Sequence, residues 1–291
     1  MSDAVTAALR LQLIAYIQFS GLAILAVDYC ATFTTEILWT WNRPWSFVRA
    51  LFLLVRYVPF ILVPITIFET LGPVSMAECS ILAEVNLWLS NIVIVAAECI
   101  LIIRTWVLWG KKRTVLIGLI ALGLAYFTAD VVLITTLFGS ITYTPLPSPP
   151  SNCVQPFSSP THYIWGFFFL VAFELVIFVL TIYRIPRYKH HQRIFLMVRN
   201  DLVYLSCILG MSVINTMATK EGYVAVAYEW QVVLHSVLAS RLFFSMRQMM
   251  QHQHVIASGS VAQPRLSRVV EMLPMTFEVG TGGLGVEYNE C

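Results

Sequence analysis

From Tyr163 to Tyr183 the chain carries a single charge, Glu174. That one run excludes most soluble folds. A helix on a soluble protein shows a polar stripe every 3.6 residues, and a membrane β-barrel strand alternates apolar and polar positions. This segment does neither. A helix that crosses the hydrocarbon of a bilayer needs about 20 mainly apolar residues. Seven stretches meet that requirement, at about 11–32, 47–68, 85–109, 115–138, 163–183, 201–218 and 223–244. The sixth is the weakest, being short and holding Ser206, Ser212 and Asn215. The expectation is an all-α, polytopic transmembrane helical bundle of seven spans over residues 1–247, followed by a tail at 248–291 that is read as disordered, with room for a short interfacial helix at its start.

Composition says the same thing about solvent. The 291 residues are 58% hydrophobic and 12% charged, against about 45–50% and about 25% for an ordinary soluble domain. Too few polar side chains exist to wet helices of this length, so the partner implied is the lipid bilayer. A net charge of +2 gives no footprint for nucleic acid.

The placement of lysine and arginine predicts orientation. Lys111, Lys112 and Arg113 follow the third span, and Arg184, Arg187, Lys189, Arg193 and Arg199 follow the fifth. Arg247, Arg265 and Arg268 follow the seventh, and Arg43 and Arg49 stand near the first connection. The alternate connections hold only Lys220, with Arg10 ahead of the first span. This asymmetry sets the N-terminus outside and the tail in the cytosol, in a plasma membrane or another membrane of the secretory pathway. A cleaved signal peptide in place of the first span would give the same remaining loops. The length of the apolar run, about 22 residues, exceeds the 7–15 of a signal core and favours a retained span.

Six cysteines are present, with no CxxC pair and no zinc spacing. Cys30, Cys99 and Cys207 lie in or beside apolar segments, and Cys79 and Cys153 lie on the predicted outer side. A Cys79–Cys153 disulfide tying the long outer loop over the bundle is the favoured reading, with two free thiols as the alternative. That loop holds Pro145, Pro147, Pro149, Pro150, Pro156 and Pro160, and is expected to be extended.

Charges inside hydrocarbon face the bundle interior and pair. At about 1.5 Å per residue, Arg56 on the second span and Glu98 on the third lie roughly 13 and 16 Å from the same edge. Matched depth on consecutive spans predicts an Arg56–Glu98 ion pair. Glu174 and His235 fall at a similar level and extend it into a polar layer. Read plainly, such a layer is structural glue that fixes helix register. Read more sharply, it lines a ligand pocket or an ion path. Asp130 and Glu229 fall in the outer halves of their spans, and Asp28 and Arg241 near the inner edge, where a second pair is expected. Trp39, Trp41, Trp45, Trp106 and Trp109 are explained by an interfacial belt. His190, His191, His252 and His254 read as solvated rather than metal-binding. No nucleophile elbow, phosphate loop or HExxH motif occurs, so neither an enzyme, a cofactor nor a metal is expected.

Several blocks resemble one family. Asp28-Tyr29 is followed by Thr34, Glu36, Trp39, Trp41 and Trp45, then Leu51-Phe52-Leu53 and the pair Arg56-Tyr57. The run from Leu101 to Gly110, with Arg104-Thr105-Trp106, closes the third span. Asn200-Asp201 with Tyr204 opens the sixth, and Ser240-Arg241-Leu242 lies at the end of the seventh. Together these resemble the fungal, mainly basidiomycete, multi-span membrane proteins grouped as domain of unknown function 6533. The resemblance implies a polytopic membrane protein and no activity. Seven spans also resemble G-protein-coupled receptors in topology. However, Ile103 and Thr105 flank Arg104 where those receptors have an acid and a tyrosine, and the seventh span lacks Asn-Pro-x-x-Tyr. The leading expectation is a receptor-like or sensory membrane protein. It would engage a cytosolic protein partner through the loop at 184–200 and the tail. A small-solute or ion transporter or channel is the alternative, and a ligand-free scaffold the third reading.

Overall fold

A computed structural model describes residues 2–41, 44–138, 160–188, 192–220 and 224–257. These residues are helical apart from short turns, and none lies in a strand. In chain order the helices are α1 (Ser2–Glu36), α2 (Phe47–Tyr57), α3 (Pro59–Leu71), α4 (Met76–Leu108), α5 (Arg113–Phe138), α6 (Pro160–Arg184), α7 (Gln192–Lys220) and α8 (Val224–Ala257). Hydrocarbon offers no partner to a backbone N–H or C=O, so each spanning segment must satisfy its own, which a helix does. Six segments are long and apolar enough to cross a membrane: Leu11–Trp41, Phe47–Leu71, Glu78–Leu108, Arg113–Thr136, Ile164–Tyr188 and Ile194–Ala218. The chain is thus a polytopic α-helical membrane protein.

The seventh long helix, α8, falls outside that set for a physical reason. Val232, Val233, His235, Ala239, Ser240, Leu242 and Phe243 on it are all 0% exposed. A helix wrapped by other helices needs no lipid-facing surface, and it spends that freedom on polar side chains.

The inversion of the usual surface is the best sign of the solvent. Val27 is 69% exposed and Ile117 66%, whereas Asp28, Glu98, Arg104, Glu174 and Gln231 are buried. Water would reverse that arrangement.

Local signals explain where the elements differ from the expected spans. The second span is two helices because Pro59 has no N–H to donate; α2 stops at Tyr57 and α3 starts at Pro59. The third begins well before Val85, at a capping box. Ser75 Oγ accepts from the Glu78 N–H at 3.4 Å while Glu78 Oε2 accepts from the Ser75 N–H at 3.0 Å. It closes on Gly110, whose φ of +67° allows the Lys111 N–H to reach back to the Trp106 carbonyl at 3.0 Å. The sixth begins near Gln192 rather than at Asp201. The helix of the seventh span continues to Ala257, so the tail opens on helix. Residues 258–291 lie outside the described residues.

The end of the bundle bearing Arg49, Lys111, Lys112, Arg113 and Arg184 is called the basic end below. Near it, Phe52, Ile100, Phe243 and Met246 form one apolar cluster, with the Phe52 and Phe243 rings stacked at 4.5 Å. Towards the opposite end, Leu62, Val63, Val93, Ile94 and Val233 form another. Leu101, Phe173, Ile177, Leu205 and Leu242 join α4, α6, α7 and α8 in a third.

Candidate functional site

Three groups of buried polar side chains divide the bundle interior. The first joins α1, α2 and α8 near the basic end. Arg56 Nη1 donates to Asp28 Oδ2 at 2.6 Å, and Arg241 Nε donates to Asp28 Oδ1 at 2.8 Å. Arg56 also donates to Thr32 Oγ1 and lies 3.4 Å from Glu36 Oε2. Glu36 in turn accepts from the Tyr57 hydroxyl at 2.5 Å and from Trp41 Nε1 at 3.0 Å. Asp28 and Arg241 are therefore brought together. Arg56 and Glu98 are not, which corrects the expected pairing. Depth along a helix can be counted from sequence; the direction in which a side chain leaves the axis cannot. Arg56 leaves α2 towards α1, and two acids there hold it. Arg56 thereby falls outside the polar layer proposed for it.

The second group went unrecognised as a pair in the sequence. Arg104 on α4 donates from Nε and Nη2 to Asp201 Oδ2 on α7, at 3.0 and 2.9 Å. Thr181 Oγ1 on α6 lies 3.5 Å from Arg104 Nη1. Arg104 is 1% exposed and Asp201 3%. A charge pair this deep is held as much by the cost of separating it as by its attraction.

The third group contains the rest of the predicted layer. His235 Nε2 on α8 lies 3.2 Å from Glu98 Oε1 on α4 and 3.2 Å from Glu174 Oε1 on α6. His235 Nδ1 lies 3.0 Å from the Gln231 carbonyl one turn earlier. Ser212 Oγ on α7 donates to Glu174 Oε1 at 2.7 Å, Gln231 Nε2 donates to Ser212 Oγ at 2.6 Å, and Asn215 Nδ2 donates to Gln231 Oε1. Four helices thus converge on one buried cluster. Ser212 and Asn215 had weakened the sixth span as a hydropathy signal; their polarity was the trace of this network. Gln231, four residues before His235, carried a similar signal at helical spacing.

Towards the opposite end, Asp130 on α5 accepts from Asn91 Nδ2 on α4. The pair borders a recess walled by Ile94, Tyr126, Leu170 and Tyr228. Glu229 is buried beside Gln18 of α1, so the two outer-half acids sit in separate places. Gln18 Nε2 donates to Thr70 Oγ1 at 2.9 Å, and Asn86 Nδ2 to Thr66 Oγ1 at 2.9 Å, stitching α1, α3 and α4 at this end. Cys79 is buried and disulfide-bonded. Cys153, its expected partner, lies outside the described residues, as do His190 and His191.

Buried ionic groups on helices whose outward faces are apolar define a polytopic integral membrane protein. Residues 16–61 match a family described as Family of unknown function (DUF6533), the family that the sequence resembles. No curated protein and no solved structure shows significant similarity to the chain. The matched segment holds Asp28, Thr32, Glu36, Trp41, Arg56 and Tyr57. Most of the first polar group therefore falls within it, with Arg241 the contribution from a distant helix.

Proposed function

We propose that this protein is a receptor-like, ligand-sensing membrane protein without enzymatic activity, and that its ligand occupies the recess beside Asp130. One observation carries the reading. A single carboxylate, oriented by Asn91, borders a recess otherwise walled by aliphatic and aromatic side chains. An apolar recess with one fixed polar group suits a small amphiphile whose cationic or hydrogen-donating head meets the carboxylate. The stacked Phe52 and Phe243 rings and the Arg56–Asp28–Arg241 group close the interior near the basic end. That closure favours sensing over conduction. The positive-inside asymmetry supports a cytosolic basic end. The connection at 184–200 and the tail would then meet a cytosolic protein partner, in a membrane of the secretory pathway.

The test is a thermal-shift screen of purified protein against small amines and neutral amphiphiles, repeated on Asp130→Asn. Amines that raise Tm of the parent and not of the variant support the reading. Amines that act equally on both overturn it. A transporter is the second reading, favoured by the Glu98–Glu174–His235 cluster at mid-bundle. Proteoliposome uptake of a compound that raises Tm would select it over sensing.

A further inference from the structure

Ile94 and Leu170, in the wall of the Asp130 recess, precede Glu98 and Glu174 by one helical turn on α4 and α6. The deeper pair of carboxylates and His235 make a constellation of their own. We propose that Glu98, Glu174 and His235 form a site for one divalent transition-metal ion of the zinc type. The proposal does not rest on the sensing reading.

The geometry comes first. One ligand atom from each of the three residues can be chosen so that all lie within 4.8 Å of one another. His235 Nε2 is 3.2 Å from an oxygen of each carboxylate. Donors bound tetrahedrally to zinc at about 2.0–2.1 Å sit roughly 3.3–3.4 Å apart. The two histidine–carboxylate spacings are already close to that value.

The proton inventory comes second. Two Gln231 atoms face His235 Nδ1, the carbonyl at 3.0 Å, which accepts, and the side-chain Nε2 at 3.1 Å, which donates; in the metal-bound form the proton sits on Nδ1 and bonds the carbonyl. A neutral imidazole then presents the bare Nε2 lone pair to two carboxylates. Metal-bound histidines are held in this way, with the far nitrogen donating to a backbone carbonyl. Three electron-rich atoms facing one another favour a positive charge between them, supplied by a proton or by a metal ion. With both carboxyls ionised, a single proton on Nε2 would leave a net negative charge there. It would also leave Glu98 Oε2 and Glu174 Oε2, which have no hydrogen-bond partner, unrelieved. Both residues are at least nine-tenths buried. A divalent cation neutralises both carboxylates at once. Ser212 and Gln231 supply the outer layer that orients Glu174. Sequence spacing could not announce such a site, because each ligand comes from a different helix.

The experiment uses full-length protein purified without a histidine tag, with Ala at His190, His191, His252 and His254 to remove other histidine ligands. After stripping with EDTA it is titrated with ZnCl2. Metal content is read by mass spectrometry and stability by thermal unfolding. One zinc ion per chain is expected, with Tm rising by about 5–10 °C at a 100-fold excess over Kd. Ser212→Ala should weaken binding by about 10–100-fold and His235→Asn by at least that much, while Asp130→Asn should bind zinc unchanged. Should the His235 variant fail to fold, CoCl2 on the parent protein decides without it, since a tetrahedral nitrogen–oxygen site gives a visible ligand-field band. Absence of both zinc uptake and the cobalt band overturns the proposal. Undiminished zinc binding in His235→Asn overturns it equally. So does stabilisation obtained by acidification alone, which would place a proton rather than a metal at the centre.

Discussion

Arg56 Nη1 and Asp28 Oδ2 lie 2.6 Å apart, and the other oxygen of that carboxylate holds Arg241 at 2.8 Å. One acid on α1 thus serves cations from α2 and α8. Asp28→Ala strips both at once and leaves Arg56, 2% exposed, with neutral acceptors on α1 and the longer Glu36 contact as its one remaining carboxylate. Breaking a buried pair by removing one partner costs on the order of 3–5 kcal/mol. The expected outcome is a large fall in Tm in detergent, with Asp28→Glu intermediate. An unchanged melting curve for Asp28→Ala would remove this group from any account of stability.

Arg104 and Asp201 offer a cleaner cycle, because no second acid approaches Arg104 in the ion pairs among the described residues. Each single change, Arg104→Met or Asp201→Leu, should cost about 3–5 kcal/mol. The double change should recover most of it, since apolar replacement of a buried pair is often neutral. Additive losses in the double variant, measured by denaturant or thermal unfolding, would show that the two side chains do not depend on each other.

Glu98 should now be uncoupled from Arg56. Residues without shared partners give additive effects to within about 0.3–0.5 kcal/mol. We expect Glu98→Gln and Arg56→Gln to be additive, and Glu98→Gln and His235→Asn to be strongly non-additive. Coupling in the first pair above about 1 kcal/mol would restore the pairing first expected from sequence.

Cys79 is buried at the start of α4 and disulfide-bonded. We propose Cys153 as its partner. Peptide mapping without reductant should recover a cross-linked pair containing both residues. Cys79→Ser should destabilise by about 2–5 kcal/mol. Recovery of Cys153 as an alkylated free thiol would dismiss the pairing.

Much of the architecture was legible because hydrophobic length is a property of a single segment. The runs now in α4, α5 and α6 could be found without knowing what lay beside them. The breaks were missed: the second span was read as continuous across Pro59, where the helix is interrupted, and the Ser75 capping box set the start of α4 well ahead of the apolar run. The ionic groups show where the reading stopped. Glu98, Glu174 and His235 were placed at one level by counting rise per residue. Arg56, at the same level, faces elsewhere because rotation about the axis depends on which neighbours pack. The Arg104–Asp201 pair joins residues 97 positions apart, a separation at which sequence alone carries no contact signal. A polar residue in a weak span, such as Asn215, lowers hydropathy for the same reason that it gains a partner.

The Arg104–Asp201 clamp also constrains how the molecule is made. The ribosome delivers α4 long before α7, the least hydropathic of the six candidate spans. Until Asp201 emerges, Arg104 has no carboxylate to meet. It sits four residues from the end of α4, close enough for its long side chain to reach headgroup water while it waits. The pair can therefore close only after α7 has joined the bundle, which makes it a late contact of assembly.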